Sequence, residues 1–372
     1  MTGENCQIFC HRKSTESFQA ALGTATLLPG PVLMEGRVEA GFQVREARML
    51  SFWNAGKCAR MKSVVVPWVF LFVAVAVCLM AVPLAAEKES DGTAPYSPCP
   101  NLQVLHPEWI WCDDFELDRL GKYFEYNPSG NQFIRAPASG VNGSVGMRVL
   151  FLPGQIGAGW LHLAFGKTPS PYFRPVDAGT AMYREIYWQI YLKNQPGWVG
   201  GGGDKLARAI VFAGRNWEEA AIGHIWSGSH QYPSSQNVLL LDPASGTDEE
   251  GTLKAAKYND FENFRWLGVK PGVTRLFDSS DVGRWYCIEV HMKLNSSEFN
   301  DGVFEYWVND ELQAQSTSLN WLGNFTKYSI NALFIENHWN AGSPVKQERY
   351  LDNLIVSTKR IGCSTSRLEK AR

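Results

Sequence analysis

Short strand-like runs follow one another along most of the chain after residue 105, and this feature limits the fold more than any other. Runs such as GMRVLFL, REIYWQIYLK, NVLLLD and GVFEYWVND are rich in β-branched and aromatic residues, and clusters of Gly, Pro, Asn and Asp separate them. Helical periodicity is nearly absent, and NWEEAA at 216–221 is the one short helical candidate. Many strands without helices predict an all-β fold, a two-sheet antiparallel sandwich or jelly roll.

The stretch AMYREIYWQIYLKNQPGW at 181–198 separates into two faces when the period of a strand is applied to it. The apolar parity contains Ile186, Trp188, Ile190 and Leu192. The other parity combines aromatic and polar side chains: Tyr183, Glu185, Tyr187, Gln189, Tyr191 and Lys193. Because the apolar parity belongs in the core between the sheets, we expect the second parity to face outward.

Two later segments divide in the same way. The segment 284–314 predicts a hairpin whose first arm has Glu289, His291 and Lys293 opposite an apolar parity. Pairing the apolar parities of both arms puts Glu305 and Trp307 beside Glu289 and His291. The run NALFIENHW places Phe334, Glu336 and His338 on one parity.

These polar parities have two interpretations. Antiparallel sheets commonly have a solvated outer face, which favours Lys, Glu, Thr and Ser. Rows of Tyr, Trp, His and Gln instead suit a surface that stacks on sugar rings and makes hydrogen bonds. We predict that they form one wall of a glycan-binding cleft.

The N-terminal part contains an export signal. The run 61–86 begins with Met61 and Lys62, continues with apolar residues from Val64, and ends in Leu84-Ala85-Ala86, the layout of a secretory signal peptide. The alternative is an uncleaved membrane anchor formed by 64–86. Both place the remainder outside the cytoplasm, in an extracellular or periplasmic compartment.

The expected organisation follows from these segments. We expect residues 1–60 to be an unstructured or mis-annotated extension, 87–104 a linker, 105–363 the folded domain and 364–372 a tail. The formal net charge of -2 and the absence of a basic tract argue against nucleic-acid binding. We expect a monomer.

Four cysteines follow the signal, an even number that suits an oxidising compartment. Three pairings are open, and we favour Cys99 with Cys112 and Cys287 with Cys363. No pattern predicts a catalytic metal or a cofactor. The acidic loops TDEEG at 247–251 and FDSSDVG at 277–283 could hold a structural Ca²⁺, although neither completes a calcium-binding pattern.

Several segments resemble a known superfamily. They are WCDDFE at 111–116, YREIYWQIYLK with the following GGGGDKLARA, the GRWYCIEVHMKLN…DGVFEYWVND hairpin, and the closing ERYLDNLIVSTKRIG. Together they resemble the concanavalin A-like jelly roll of legume-type lectins, laminarinase-like glucanases and several polysaccharide lyases, over roughly residues 105–363. The hairpin and the closing strand look most like jelly-roll lyases that cleave alginate and heparin.

This resemblance implies a secreted protein that binds or cleaves a uronic-acid polysaccharide by β-elimination. YREIY at 183–187, EVH at 289–291 and FIENHWN at 334–340 follow the order of the motif strands of alginate lyases, although Glu289 replaces a glutamine and His338 and Trp339 stand where a tyrosine is expected. Elimination requires a carboxylate neutraliser, a base and an acid. The candidate catalytic residues are Arg184, Tyr187, Tyr191, Glu289 and His291, with His291 as the base and a tyrosine as the acid.

We expect a wider set of residues to bind the substrate: Tyr183, Glu185, Gln189, Lys193, Lys205, Lys293, Glu305, Trp307, Glu336 and His338. Two alternatives remain open. A glycoside hydrolase would use two of Glu289, Glu305 and Glu336. A lectin-like carbohydrate-binding module would use the aromatic face without a base.

Overall fold

The computed structural model describes residue 99 and the ranges 102–228 and 236–363. The segment 1–60, the predicted signal peptide at 61–86, most of the predicted linker at 87–104 and the predicted tail at 364–372 lie outside the described residues. All described residues belong to one compact unit, Ala85–Arg372. Within the described ranges, no helix is both long enough and apolar enough to cross a membrane.

Apart from one short α-helix, α1 (Leu102–Leu105), and short 3-10 turns, the regular secondary structure of the described residues consists of strands. The strands are β1 (Trp109–Asp113), β2 (Glu125–Asn127), β3 (Phe133–Ala136), β4 (Gly146–Phe151), β5 (Gly157–Ala164), β6 (Glu185–Asn194), β7 (Lys205–Phe212), β8 (Glu219–Trp226), β9 (Leu240–Ser245), β10 (Arg265–Trp266), β11 (Lys270–Pro271), β12 (Tyr286–Lys293), β13 (Gly302–Val308), β14 (Glu311–Leu319), β15 (Ala332–His338) and β16 (Gln347–Ser357).

The strands build two antiparallel sheets of eight strands each. The first sheet has the order β14-β13-β12-β6-β16-β4-β3, and β1 pairs with β16. The second sheet has the order β10-β9-β8-β7-β15-β5-β2, and β11 pairs with β9. The predicted all-β sandwich of two antiparallel sheets is therefore confirmed.

The main core lies between the sheets and contains the apolar parity of each long strand. Ile186, Trp188 and Ile190 of β6 are buried there. Leu333 and Ile335 of β15 enter the same core from the second sheet. Burial of this kind stabilises by about 25 cal/mol per Å² of apolar surface, which explains why parity fixes the orientation of each strand.

The hairpin of β12 and β13 has the register parity expected from the sequence. Glu289 pairs with Trp307, and His291 pairs with Glu305. The helical candidate at 216–221 is wrong, because β8 begins at Glu219. Pairing with strands on both sides outweighs the weak local helical preference of a short segment.

Two disulfides join the four described cysteines in the favoured pairing. Cys99 bonds to Cys112, and Cys287 bonds to Cys363. The first ties the start of the described chain to β1. The second fixes the end of the described chain to β12, on the outer face of the first sheet.

Candidate functional site

The predicted site residues lie on the outer faces of two different sheets. Most belong to β6, β12 and β13 in the first sheet. Lys205 on β7 and Glu336 and His338 on β15 belong to the second sheet. The side chains of both groups point away from the core, as expected. Because the core lies between the two sheets, the two groups cannot line one cleft.

His291 is the centre of the polar group on the first sheet. Its Nδ1 lies 2.8 Å from Glu305 Oε1, and its Nε2 lies 2.8 Å from Glu185 Oε1. Tyr187 stacks on the imidazole with ring centroids 4.2 Å apart. Burial, followed by the charge of Glu185, raises the pKa of Tyr187. Because both imidazole nitrogens are occupied by carboxylates, neither is open to a substrate proton in this arrangement.

Residues 360–363, here called the C-terminal strap, cover the middle of this face. Glu289 accepts backbone hydrogen bonds from Ile361 at 2.6 Å and Gly362 at 3.2 Å, and burial raises its pKa. The Gln189 side chain donates to the Gly362 carbonyl oxygen at 2.9 Å. Glu289 and Tyr191 have no exposed surface. A substrate could reach these side chains only if the C-terminal strap moved.

Two residues near the start of β6 bind other parts of the protein. The Tyr183 hydroxyl donates to Asp177 Oδ2 at 2.7 Å. The Arg184 guanidinium donates to the carbonyl oxygen of Asn295. Within the described ranges, neither side chain has a hydrogen bond or ion pair with His291.

Lys193 and Lys293 lie at the C-terminal ends of the neighbouring strands β6 and β12. Lys193 Nζ is 4.8 Å from the ring centroids of both Trp285 and Tyr350, and burial lowers its pKa. Lys293 Nζ lies 3.9 Å from Asp301.

Trp307 is covered from the strap side. The Arg360 guanidinium lies 4.5 Å from its ring centroid. This cation–π contact takes up ring surface that a sugar would need.

The second sheet presents a row of five residues across four strands. Trp160 on β5 is the cross-strand partner of Glu336. His338 is the partner of Lys205, and Lys205 is the partner of Trp226. We call Trp160, Glu336, His338, Lys205 and Trp226 the central row. All except Glu336 are half-buried, so their side chains reach solvent while being fixed by neighbours.

Beside the central row, Arg208 is buried in a network of charges. Its Nε lies 2.8 Å from Glu336 Oε2, and its Nη2 donates to Glu336 Oε1 at 3.0 Å. Its Nη1 donates to Asn259 Oδ1 at 2.7 Å and lies 3.7 Å from Glu219 Oε1, while the Tyr258 hydroxyl contacts Nη2. Burial alone would raise the pKa of Glu336, but the charge of Arg208 outweighs it and lowers that pKa to about 2. Glu336 therefore stays ionised and fixed.

Two buried histidines border this network. His224 Nδ1 donates to the Asp242 carbonyl oxygen at 3.1 Å, and His162 Nδ1 lies 2.9 Å from Glu125 Oε2. Within the described ranges, the Nε2 atoms of both histidines have no hydrogen-bond partner. Burial lowers the pKa of His162, and it lowers the pKa of His224 to about 3. Both rings are neutral at physiological pH.

The charge of this face depends on two buried carboxyl groups, Asp242 and Glu219. Glu219 lies 3.7 Å from Arg208, but burial outweighs the effect of that charge on its pKa. Burial raises the pKa of Asp242 to about 6 and the pKa of Glu219 to about 7. Below these values Asp242 and Glu219 are uncharged, and Lys205 and Arg208 face the ionised carboxylates of Glu336 and Glu125. The face is then less negative than at higher pH, which favours an anionic ligand.

Sequence reasoning missed Trp160, Arg208, His224 and Trp226. Trp160 could have been found from the alternation in AGWLHLAFG. This segment places Trp160 and His162 on one parity and the core residues Leu161 and Leu163 on the other. For Lys205, strand parity predicts the wrong face, the one opposite to that of Arg208. A register shift between Lys205 and Ala207 lets Lys205 share a face with Arg208, although the two have opposite parities.

The glycine-rich loop 200–203, which precedes β7, lies against the residue that follows β8. A Cβ at Gly202 would lie 1.6 Å from the Ser227 carbonyl oxygen, so only glycine fits. The Ser227 hydroxyl donates to the Gly202 carbonyl oxygen at 2.5 Å. The close approach fixes the chain immediately before Lys205.

The described ranges contain no group of three or more His, Cys, Asp or Glu residues arranged to hold a metal ion. In the loop 247–251, Asp248 instead pairs with Lys254 at 3.0 Å. In the loop 277–283, Asp278 pairs with Arg275 at 2.6 Å.

No protein-family model matches this chain, and no curated protein matches its sequence. Among solved structures it is similar to an alginate lyase from a Chlorella virus, with 13% identity, a TM-score of 0.47, and coverage of 68% of this chain and 100% of that one. The endo-β-1,4-glucuronan lyase of the fungus Trichoderma reesei has 12% identity, a TM-score of 0.46, and coverage of 68% and 96%. An alginate lyase from Aplysia kurodai has 11% identity, a TM-score of 0.42, and coverage of 68% and 99%. At TM-scores below 0.5 and identities of 11–13%, these similarities establish neither the family nor the function of this chain.

Proposed function

We propose that the protein binds a uronic-acid polysaccharide on the outer face of the second sheet and cleaves it by β-elimination. The observation that supports this most directly is the central row, in which Lys205 and His338 lie between two tryptophans. Aromatic rings provide platforms for sugar rings, and Lys205 provides a charge for a carboxylate. With adjacent strands about 4.8 Å apart, Trp160 and Trp226 are roughly 14 Å apart across the sheet, a span longer than one sugar ring.

Lys205 is available to a substrate carboxylate. Its one ion pair within the described ranges, to Glu336 Oε1 at 3.7 Å, is loose, and Glu336 is held more closely by Arg208 at 2.8 Å. Burial lowers the pKa of Lys205. A uronic-acid carboxylate beside Nζ would restore part of the lost solvation and would favour the charged form.

His338 is the proposed base. Burial, followed by the charge of Lys205, lowers its pKa, so the imidazole is neutral and able to accept a proton. In the proposed step His338 takes the C5 proton, the C5–H electron pair forms the C4=C5 double bond, and the C4–O bond breaks. The leaving oxygen takes a proton from solvent.

The positions of Glu219 and Asp242 disfavour either of them as the partner of Glu336 in a glycoside hydrolase. Glu219 is fully buried. Glu336 and Asp242 lie three strand spacings apart, roughly 14 Å. Hydrolases need their two carboxyl groups about 5 to 10 Å apart.

Product analysis tests this proposal. The protein is incubated with alginate, glucuronan, heparin and pectate, and both the ultraviolet absorbance of unsaturated products and the number of reducing ends are followed. Absorbance and reducing ends rising together support the lyase. Reducing ends without absorbance would identify a hydrolase, and binding without either would identify a lectin-like module.

A pair of lysine variants decides between the two faces. Lys205→Ala should reduce turnover by about 10²-fold, because the substrate carboxylate loses its neutralising charge. Lys293→Ala, on the outer face of the first sheet, is the matched control and should retain activity. His291→Ala extends the comparison: a loss of turnover with His291→Ala but not with Lys205→Ala would return the site to the first sheet.

We also propose that the protein is exported and is a monomer. Two disulfides suit an oxidising compartment. The signal peptide predicts a mature N-terminus at Glu87, which mass spectrometry of the protein from culture medium or periplasm measures. Retention of 64–86 in the mature chain would indicate the anchor instead.

A further inference from the structure

We propose that Trp266 forms an additional subsite of the same groove, which binds a sugar ring of the acidic polysaccharide beyond the central row. This inference rests on the proposed function. It adds that the polymer runs across the strands towards the β10 edge of the second sheet, and that substrates long enough to reach this edge are preferred.

A series of ring contacts connects Trp226 of the central row to Trp266 through the buried ring of His224. The rings of Trp226 and His224 stack with centroids 4.6 Å apart and planes 9° apart. His224 also stacks with Trp266, with ring centroids 5.8 Å apart and planes 25° apart. Phe261 extends the series, with its centroid 6.0 Å from that of Trp266.

The most exposed rings of this series lie at its edge end. His224 is 1% exposed, whereas Trp266 is 46% and Phe261 is 42% exposed. Exposed sheet edges usually have charged residues, a bulge or proline that prevents association with other chains. Two large exposed rings at such an edge, continuous with a row of half-buried tryptophans, are typical of a binding surface.

The backbone that presents Trp266 is firmly held. Its neighbour Arg265 donates to the Thr247 carbonyl oxygen at 2.7 Å and to Ser245 Oγ at 3.1 Å. The same guanidinium donates to the Asn320 carbonyl oxygen at 3.2 Å. Phe264 packs edge-on against the Trp266 ring, at 6.2 Å between centroids. A ring fixed before binding loses little conformational entropy when a ligand stacks on it.

The strand order sets the length of ligand that this subsite requires. Trp160 on β5 and Trp266 on β10 are separated by five strand spacings, roughly 24 Å. A disaccharide on the central row cannot reach Trp266. A longer oligosaccharide that lies across the strands can.

The test compares oligosaccharide lengths in Trp266→Ala. Unsaturated-product formation is measured with a tetrasaccharide and an octasaccharide of alginate and of glucuronan. For the octasaccharide of whichever polymer the wild type cleaves, KM should rise roughly fivefold to tenfold, as loss of one good aromatic contact produces. The tetrasaccharide should be almost unaffected. Trp266→Phe keeps a ring and should restore most of the octasaccharide KM.

Phe299→Ala is the matched control, because Phe299 is an aromatic residue with 66% exposure in the β12–β13 connection of the first sheet. Thermal unfolding of each variant separates a binding effect from a loss of folding. Equal KM values for wild type and Trp266→Ala at both lengths would overturn the inference while leaving the proposed function intact, and so would an equal loss at both lengths. If the wild type cleaves neither polymer and octasaccharides do not bind in titration calorimetry, the proposed function and the inference fail together.

Discussion

His224 shows how one buried side chain ties the stability of the protein to pH. Its Nδ1 donates to a carbonyl oxygen, which cannot donate in return, so the proton of the neutral ring is on Nδ1. Nε2 is buried and has no partner within the described ranges. A second proton on Nε2 would therefore create an unpaired charge in the fold.

We predict that His224 makes the protein sensitive to acid. Its pKa is about 3 when folded, against an ordinary value of about 6.5, so the unfolded chain binds the proton more readily. The contribution of neutral His224 to the free energy of unfolding is present above pH 6.5 and is lost as pH decreases towards 3. Between pH 7 and pH 5 this loss is about 2 kcal/mol.

Chemical denaturation of the wild type and His224→Gln at both pH values measures this effect. The difference in free energy of unfolding between the two pH values should be smaller for His224→Gln. His106→Gln, at a half-buried histidine on the surface, is the control. If His224→Gln loses as much stability between pH 7 and pH 5 as the wild type, the assignment is contradicted.

At the scale of a structural element, the C-terminal strap turns part of a sheet face into a second small core. Tyr191, Trp285 and Val141 pack there with the Cys287–Cys363 disulfide. The disulfide closes a loop of 76 residues, which reduces the entropy of the unfolded chain. On the aromatic and polar side of β6, Tyr191 is therefore part of a small core, whereas other side chains of the same side remain at the surface.

We predict that Glu289 stabilises the strap. Glu289→Ala removes the acceptor of the Ile361 and Gly362 amides and should lower the free energy of unfolding by about 2 to 3 kcal/mol. Glu311→Ala, at an exposed position of the edge strand β14, is the control and should change it by less than about 0.5 kcal/mol. Urea denaturation measures both. A stable Glu289→Ala variant without lyase activity would support the catalytic role expected from the sequence instead.

At the scale of the whole molecule, the outer faces of the two sheets differ in how much of their polar and aromatic side chains is accessible to a ligand. The C-terminal strap covers the first, whereas the second has half-buried tryptophans around a charged centre. The charge of this centre changes near neutral pH, because Asp242 and Glu219 ionise at about 6 and about 7.

We predict that affinity for an acidic polysaccharide decreases as pH rises from 5.5 to 8. Ionisation of Asp242 and Glu219 adds negative charge to a face where Lys205 and Arg208 are positive and Glu336 and Glu125 are already ionised. The expected loss is about fivefold at low ionic strength. Calorimetric titration with glucuronan measures it, and Asp242→Asn should show a weaker pH dependence. Affinity that is constant across this range in the wild type would contradict the proposed electrostatics.

Local periodicity determined the fold class and the direction in which most side chains point. The parity of REIYWQIYLK was sufficient to place Trp188 in the core and Tyr187 outside, because a strand that exposed its apolar side would lose most of its burial energy. The register of β12 on β13 followed from the same argument, and the disulfide pairing was the one that the sequence favoured.

Only the tertiary structure decided which outward-facing residues meet. Parity gives the side of a strand but not the sheet to which the strand belongs, and His291 and His338 are in different sheets. The shift that brings Lys205 beside Glu336 is one residue wide and depends on pairing with β8 and β15. The burial of Glu289 depends on Gly362, which is 73 residues away in the chain. Contacts between distant segments arise from the packing of the whole domain, so the sequence determined the faces and the fold determined the site.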